Sequence, residues 1–597
     1  VRRRSKVKIL LAAVNAKYIH SNLAVYSLKA YAQACMESPA DFSGGQEEVS
    51  IELAEYTINQ TLDAILMDLY KRSPDILCFS CYIWNIEYIE ALVNEMGKLR
   101  PCMPLWLGGP EVSYDAADVL ERLPMVKGVI KGEGEETFAE LCQAYRDMMN
   151  AGCQVYAGSA ADDRFRLLEG ITWRDEGGVI RDNPWRRAME LDKIPFVYRN
   201  IEDFRHKIIY YESSRGCPFS CSYCLSSVDR QLRFRDLDLV KQELSFFIDH
   251  EVPQVKFVDR TFNCKHEHAA AVWRYIAEHD RGITNFHFEV AADLLNDEEL
   301  ALLKEMRPGL VQLEIGVQST NPDTIRAIRR TMDFGRVAKA VDRIHDSGNI
   351  HQHLDLIAGL PWEDIGSFAR SFDDVYKLKP QQLQLGFLKV LKGSHMEECK
   401  KAYGLVCQSR PPYEVLYTKW LSYEDVILLK GVEEMVEVYY NSRQFAHTLK
   451  RLNERFSSAF TMYAELYGFY DAHGYGGVQH KRSARYENML AFIIEKFPEE
   501  AECFRELLTY DYYLRENAKT RPEFAGEYKL SREEVRAFYE REEKLRKYLP
   551  GYGEYDRNQM RKMTHLEYFR QSGKCVLFDY KERDILSQDA RTCEVEL

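Results

Sequence analysis

Three cysteines, Cys217, Cys221 and Cys224, stand in a C-x3-C-x2-C spacing within the stretch Glu212-Ser213-Ser214-Arg215-Gly216-Cys217-Pro218-Phe219-Ser220-Cys221-Ser222-Tyr223-Cys224. A loop this tight can turn three thiolates toward one inorganic centre. Fully ligated clusters take four cysteines, so three thiolates hold three irons of a [4Fe–4S] cube and leave the fourth open to a small molecule. A four-thiolate zinc site needs another ligand at suitable spacing, and the next cysteine is Cys264. The apolar run Lys207-Ile208-Ile209-Tyr210-Tyr211 before the loop predicts a buried strand. Gly216 and Pro218 predict a turn at its C-terminal end, where barrel enzymes place their chemistry.

Residues 201–400 continue that pattern. Strand-like runs at Lys207–Ser213, Val255–Asp259, His287–Ala291, Val311–Val317, His353–Ala358 and Gln384–Val390 alternate with helical patterns, which predicts a partial (βα)6 TIM-like barrel. Polar residues gather at the strand ends: Asp259 after the second run, Glu289 on the third, then Glu314, Gly316, Gln318 and Ser319, expected on one face of the fourth. Gly359-Leu360-Pro361-Trp362-Glu363 follows the fifth. Inward acids and amides need partners. Either a bound cofactor or a buried polar network supplies them.

Residues 1–150 alternate strand and helix patterns as well, with strands at Lys8–Val14, Val49–Thr57, Ile76–Tyr82, Pro104–Leu107 and Gly128–Lys131. This predicts a doubly wound, Rossmann-like parallel sheet, whose ligand lies beyond the carboxyl ends of its strands. Those ends carry Asn15 to Asn22 with His20, the segment with Ser80, Tyr82, Trp84 and Asn85, then Gly108-Gly109-Pro110-Glu111, and Gly132-Glu133-Gly134-Glu135. Glycines there allow close backbone approach to a large ligand.

With Tyr223 in the third slot, the cysteine motif resembles the radical S-adenosylmethionine (SAM) superfamily, whose signature is C-x3-C-x-aromatic-C. The four preceding loops resemble the cobalamin-binding domain that precedes the radical domain in a large subgroup. The resemblance covers roughly residues 6–400. It implies that Cys217, Cys221 and Cys224 hold a [4Fe–4S] cluster and that SAM chelates the open iron. It places Tyr223 and Gly359 on the adenine side, with Asp259, Glu289, Glu314, Gln318 and Ser319 as cofactor contacts. It also implies that Ser80, Tyr82, Trp84, Asn85, Gly108, Gly109, Pro110, Gly132, Glu133, Gly134 and Glu135 surround cobalamin. The D-x-H-x-x-G segment of classical cobalamin domains is absent, so the lower cobalt ligand is open; His20 lies in the corresponding first loop.

The commonest chemistry of such proteins is methyl transfer to an unactivated carbon through a deoxyadenosyl radical. The alternatives are ring formation or rearrangement without methyl transfer, and a non-enzymatic corrinoid- or redox-sensing protein. The implied partners are a small-molecule or peptide substrate and an electron donor such as flavodoxin or ferredoxin.

At 597 residues the chain exceeds one hydrophobic core. Residues 151–200 are expected to be a linker whose hairpin spans Ile171–Ile180, and residues 401–597 a mostly α-helical cap. In the cap, Ser422 with Asp425 and Ser531 with Glu534 read as capping boxes, and Glu567–Phe569 with Cys575–Asp579 as a late hairpin. The net charge of −13 argues against a nucleic-acid surface. Arg2, Arg3 and Arg4 read as a solvated basic start. No apolar run reaches membrane length and no export signal follows the start, so fifteen scattered cysteines imply reduced thiols in the cytoplasm.

Overall fold

The run Lys6–Asn15 is apolar at most positions, and in the computed structural model it forms β1, the second strand from one edge of a seven-stranded sheet. The structure describes residues 6–36, 48–150, 163–228, 231–526 and 529–597; Arg2, Arg3 and Arg4 lie outside them. Two compact units divide the chain: Val1–Leu302 with Arg326–Thr331 and Leu388–Thr418, and Leu303–Ile325 with Met332–Phe387 and Lys419–Leu597.

In the first unit β1 pairs in parallel with β2 (Glu48–Thr57) and β3 (Ile76–Ser80), and β4 (Leu105–Gly108) and β5 (Gly128–Ile130) extend the sheet in the order β2-β1-β3-β4-β5. Period two explains why so apolar a run is stable here. Leu10, Ala12 and Val14 enter one core with Ile65, Leu69, Ile89 and Val93. Ile9, Leu11 and Ala13 enter the other with Val25, Phe138, Leu141 and Tyr145. A parallel strand covered on both faces needs such a composition, and each large aliphatic side chain buried contributes about 1.5–3 kcal/mol.

The hairpin expected to be a spacer belongs to this sheet. β6 (Ile171–Arg174) pairs antiparallel with β5, and β7 (Ile180–Asp182) pairs with β6. Ile171 and Trp173 are fully buried in the second core, and Asp175 accepts from Val179 N at 2.8 Å to close the turn. The hairpin covers what would otherwise be an open strand edge.

β8 (Ile209–Tyr211) begins the second sheet. β9 (Ser214–Arg215) and β10 (Arg233–Phe234) form a short antiparallel pair around the cysteine loop. β11 (Gln254–Phe257) lies parallel to β8 and β12 (Asn285–Val290) parallel to β11. β13 (Val311–Gln318), β14 (His351–Ala358) and β15 (Gln382–Phe387) complete a six-stranded sheet ordered β15-β14-β13-β12-β11-β8. On β13, Val311, Leu313, Ile315 and Val317 are buried while Gln312, Glu314, Gly316 and Gln318 share the opposite, half-buried face.

Residue 400, the expected end of the barrel region, falls inside a segment of the first unit, 388–418, that carries the antiparallel pair β16 (Val406–Cys407) and β17 (Val415–Tyr417). The C-terminal region is helical from Tyr423 to Met563, with capping boxes at Ser422 and Ser531. It ends in an antiparallel sheet of β18 (Thr564–Phe569), β19 (Lys574–Arg583) and β20 (Ala590–Val595). Within the second unit these helices pack on the edge of the barrel sheet. Asn441 mimics a strand: it accepts from Leu383 N and donates to Leu383 O, both at 2.9 Å. Phe460 N donates to Asp373, and Tyr463 packs on Phe372 and Tyr376. No helix among the described residues is long and apolar enough to cross a membrane.

Candidate cofactor site

The cysteine loop starts at Gly216, whose φ of +92° suits glycine. A Cβ there would lie 2.6 Å from the Gln231 carbonyl oxygen, so the loop passes directly beneath the strand that returns as β10. Cys217 and Cys221 are buried, Cys224 is half-buried, and all three are free thiols. Cys217 Sγ lies 3.8 Å from Thr261 Oγ1. Arg330 Nη1 approaches Cys221 Sγ at 3.8 Å and the Tyr223 hydroxyl at 3.4 Å. Burial pushes the Cys221 thiol up, against the pull of Arg330, and the neighbouring Cys217 and Cys224 push it further. The loop is pinned by Ser222, whose N–H donates to Ile328 O at 2.9 Å and whose carbonyl accepts from Met396 N at 2.7 Å. Three mutually interacting thiols beside one guanidinium fit a cluster with three protein ligands.

Asp259 is engaged by the protein's own backbone and hydroxyls. It is fully buried and accepts from Ser213 N at 3.0 Å, Ser213 Oγ at 2.7 Å and Ser214 Oγ at 2.5 Å. Burial lifts its pKa to about 6 against those hydrogen bonds. Both oxygens are engaged in tethering the segment that enters the cysteine loop. Asn263 fixes the other side of the same turn, exchanging hydrogen bonds of 2.9 Å with the backbone of Ala291. Glu289 projects from β12, half-buried.

In the second unit Glu314, His353 and Asp355 come together: one ligand atom from each lies within 4.8 Å of the others. Gln318 ends the same face of β13 but adopts φ +72°, and the pairing register shifts there. Ser319, one residue beyond Gln318, falls by simple alternation on the side of buried Val317 and not on the face of Glu314 and Gln318, contrary to expectation. Its hydroxyl donates to Glu363 at 2.6 Å in a buried pair. Glu363 also accepts from Ser371 at 3.1 Å, and burial lifts its pKa to about 7. Gly359 turns the chain after β14 at φ +86°.

The loops of the first sheet surround a cavity of about 930 Å³, near the top of the range of roughly 300–1,000 Å³ usual for ligand sites. Ser80, Tyr82, Gly108, Gly109, Pro110, Gly132, Glu133, Gly134 and Glu135 line it, and so do Glu212, Ser214, Arg215 and Gly216 beside the cysteines, with Arg260. Gly109, at φ +114°, lies so close to β3 that a Cβ would sit 2.5 Å from Cys81 O. A large cavity with backbone exposed by glycine fits a bulky, mostly uncharged ligand such as a corrin.

Trp84 and Asn85 do not line the cavity. Trp84 stacks on Tyr82 at 4.4 Å and donates to Val14 O at 3.2 Å. Asn85 donates to the Val14 and Ser80 carbonyls, both at 3.0 Å, and so closes the ends of β1 and β3. Ser80 accepts from Asn22. His20 Nδ1 lies 2.6 Å from the Tyr210 hydroxyl, and burial lowers its pKa.

Several residues near the site went unanticipated. Arg215 and Arg233 grip Glu133 and Glu135. Burial raises the Glu133 pKa, but Arg233 and Arg215 outweigh it and hold the carboxyl low. Lys392 and Tyr413 grip Glu111. The one available signal was the position of Arg215 inside the cysteine stretch.

Residues 9–142 match the B12 binding domain, residues 211–375 the radical SAM superfamily, and residues 401–585 a family described as a protein of unknown function, DUF4080. The chain thus carries a B12 binding domain followed by a radical SAM domain, the arrangement of the cobalamin-dependent radical SAM family, whose cofactors are a [4Fe–4S] cluster, SAM and cobalamin. It is 26% identical over 314 residues to the 2-(S-pantetheinyl)-carbapenam-3-carboxylate methyltransferase of Streptantibioticus cattleyicolor, a match covering 49% of this chain and 44% of that protein. It is 22% identical over 346 residues to the anaerobic magnesium-protoporphyrin IX monomethyl ester cyclase of Rubrivivax gelatinosus, covering 56% and 59%. The chain thus spans less than two thirds of either relative. Its fold is similar to that of the cobalamin-dependent S-adenosylmethionine radical enzyme OxsB, at a TM-score of 0.58 and 14% identity over 87% of this chain and 84% of that one.

Proposed function

We propose that this chain is a methyltransferase that acts on an unactivated carbon of a small molecule or peptide. The observation that carries the proposal is the cavity of about 930 Å³ in the first unit, bordered by the loops after β3, β4 and β5 and by the backbone that enters the cysteine loop. A methyl donor and a hydrogen-abstracting group must face the same substrate, and a shared cavity provides this.

When bound, the cluster with SAM supplies one-electron cleavage chemistry and cobalamin supplies a methyl carrier. Cys217, Cys221 and Cys224 would hold the cluster, with Tyr223 beside it. Arg330 places a positive charge against Cys221 and the Tyr223 hydroxyl. Gly108, Gly109, Gly132 and Gly134 would lay bare backbone against the corrin, and Tyr82 would offer it an aromatic wall. Glu289, Glu314 and Gln318 would orient the SAM side of the barrel. The reaction also requires a low-potential electron donor such as flavodoxin or ferredoxin, and the free thiols suit a reducing cytoplasm.

Mass spectrometry of products formed from SAM labelled on its methyl group tests the proposal. Labelled product with S-adenosylhomocysteine and deoxyadenosine together supports it. Deoxyadenosine without S-adenosylhomocysteine, and an unlabelled product, would point to ring formation or rearrangement instead.

A further inference from the structure

β9 and β10 flank the cysteine loop and pair Arg215 with Arg233 across the strands. Both guanidinium groups reach the loop after β5. Arg215 lies 2.9 Å from Glu135, 2.8 Å from Glu212 and 3.5 Å from Glu133. Arg233 Nη2 lies 2.6 Å from Glu133, and its Nη1 donates to the same carboxylate and to Met189 O. The pairs are shielded: Glu135 is 7% exposed and Arg215 19%. Charged pairs with two contacts each fix orientation as well as distance; when shielded, they define geometry more than they add net stability.

Neither end of this clamp is loose. At one end, Gly216 leaves no room between the cysteine loop and the Gln231 backbone, so Arg215 and Cys217, two residues apart, move together. At the other, Gly134 packs so closely that a Cβ would lie 2.9 Å from the Leu28 side chain. A second tie runs beside it. Lys392 bridges Glu111 at 3.3 Å and Asp115 at 3.0 Å, after the G-G-P turn, while Met396 N, four residues on, holds the Ser222 carbonyl between two of the cysteines. Both cobalamin-type loops on this side of the sheet are thus tied to the cysteine loop.

We propose that Arg215 is a positioning residue that couples the loop after β5 to the cysteine loop, so that cobalamin occupancy changes the affinity of the open iron for SAM. The coupling rests on the function proposed above. A ligand that fixes residues 132–135 fixes the Arg215 guanidinium, and through it the main chain that presents Cys217. Coupling between two binding sites is reciprocal and typically amounts to about 5- to 150-fold in affinity.

The test uses the full chain with its cluster reconstituted anaerobically. SAM affinity is measured by equilibrium dialysis with and without saturating hydroxocobalamin, and the reduced cluster is followed by electron paramagnetic resonance. In the wild type, cobalamin is expected to tighten SAM binding by about fivefold or more and to alter the cluster signal. In Arg215→Gln, whatever the affinity for cobalamin alone, the ratio of SAM affinities with and without saturating hydroxocobalamin falls to about one and the signal no longer responds. Arg215→Lys, which keeps the charge and loses the planar fork, falls between. If Arg215→Gln does not fold, the double change Glu133→Gln with Glu135→Gln leaves the arginine in place and should abolish the coupling. An unchanged ratio in these variants, or a wild type that binds both cofactors independently, overturns the coupling alone. A wild type that binds no cobalamin overturns the proposed function with it.

Discussion

The Arg330 guanidinium stands 3.8 Å from the Cys221 sulfur and 3.4 Å from the Tyr223 hydroxyl, although 109 positions separate it from the cysteine in the chain. The potential of an iron–sulfur cluster depends on net charge and on hydrogen bonds to its sulfurs. Arg330→Gln should therefore lower the midpoint potential of the cluster by on the order of 50 mV, close to a tenfold change in a one-electron equilibrium. Potentiometric titration of the reduced signal measures it. An unaltered potential with full iron content would rule this role out.

Changing Cys217, Cys221 and Cys224 together to Ala should leave the reconstituted protein without a [4Fe–4S] cluster, because these thiols share one loop. Iron and sulfide analysis decides the matter: a full cluster in the triple variant would falsify the assignment.

Gly109→Val should weaken cobalamin binding at least tenfold, judged by titration of the corrin absorbance. The new side chain meets the Cys81 carbonyl at a backbone conformation of φ +114°, which costs about 1–3 kcal/mol of strain. Thermal unfolding run in parallel separates the two effects. Loss of stability with undiminished binding would remove this turn from the cobalamin site.

Burial lifts the Glu363 carboxyl from its ordinary value near 4.5 to about 7. The neutral, hydrogen-bonded form thus stabilises the fold fully below pH 4.5. As pH rises toward 7 the unfolded chain has already released the proton that the folded chain retains, and roughly 3 kcal/mol is lost across that window, levelling off above it. Glu363→Gln should flatten this part of the stability profile, measured by urea unfolding at several pH values. A wild-type profile flat between pH 4.5 and 7 would contradict the shift.

Removing residues 419–597 should yield insoluble protein. Truncation strips Asn441 from the β15 edge and Tyr463 from Phe372 and Tyr376, exposing a strand edge next to apolar side chains. Soluble truncated protein with normal cluster content would instead favour a cap that only controls access.

What could be read from the sequence was what local spacing encodes. The cysteine triplet, the glycines at strand ends and the apolar runs of β1 and β13 each act within a few residues, and the structure places them where the periodicities predict. Ser319, expected with Glu314, Gly316 and Gln318, departs from them because period two assigns the residue after Gln318 to the opposite face, and there it pairs with Glu363. Asn85 and Asp259 are polar residues at strand ends, as expected, yet their side chains are engaged by the protein's own backbone and hydroxyls. The partners of Arg215 and Arg233 in the loop after β5 lie 80 and 100 positions away, and no local pattern announces a pairing over that distance. β20 escaped notice because Arg591, Thr592 and Glu594 interrupt any apolar alternation on a short outer strand.

The β6–β7 hairpin has a bearing on how such proteins can be cut and recombined. A fragment ending at residue 150 would keep every strand of the parallel sheet but leave β5 bare and the pocket around Trp106 without Trp173 and Phe165. The portable module therefore runs at least to Asp182, and a graft of this cobalamin-type domain onto another barrel should carry the hairpin with it or forfeit solubility.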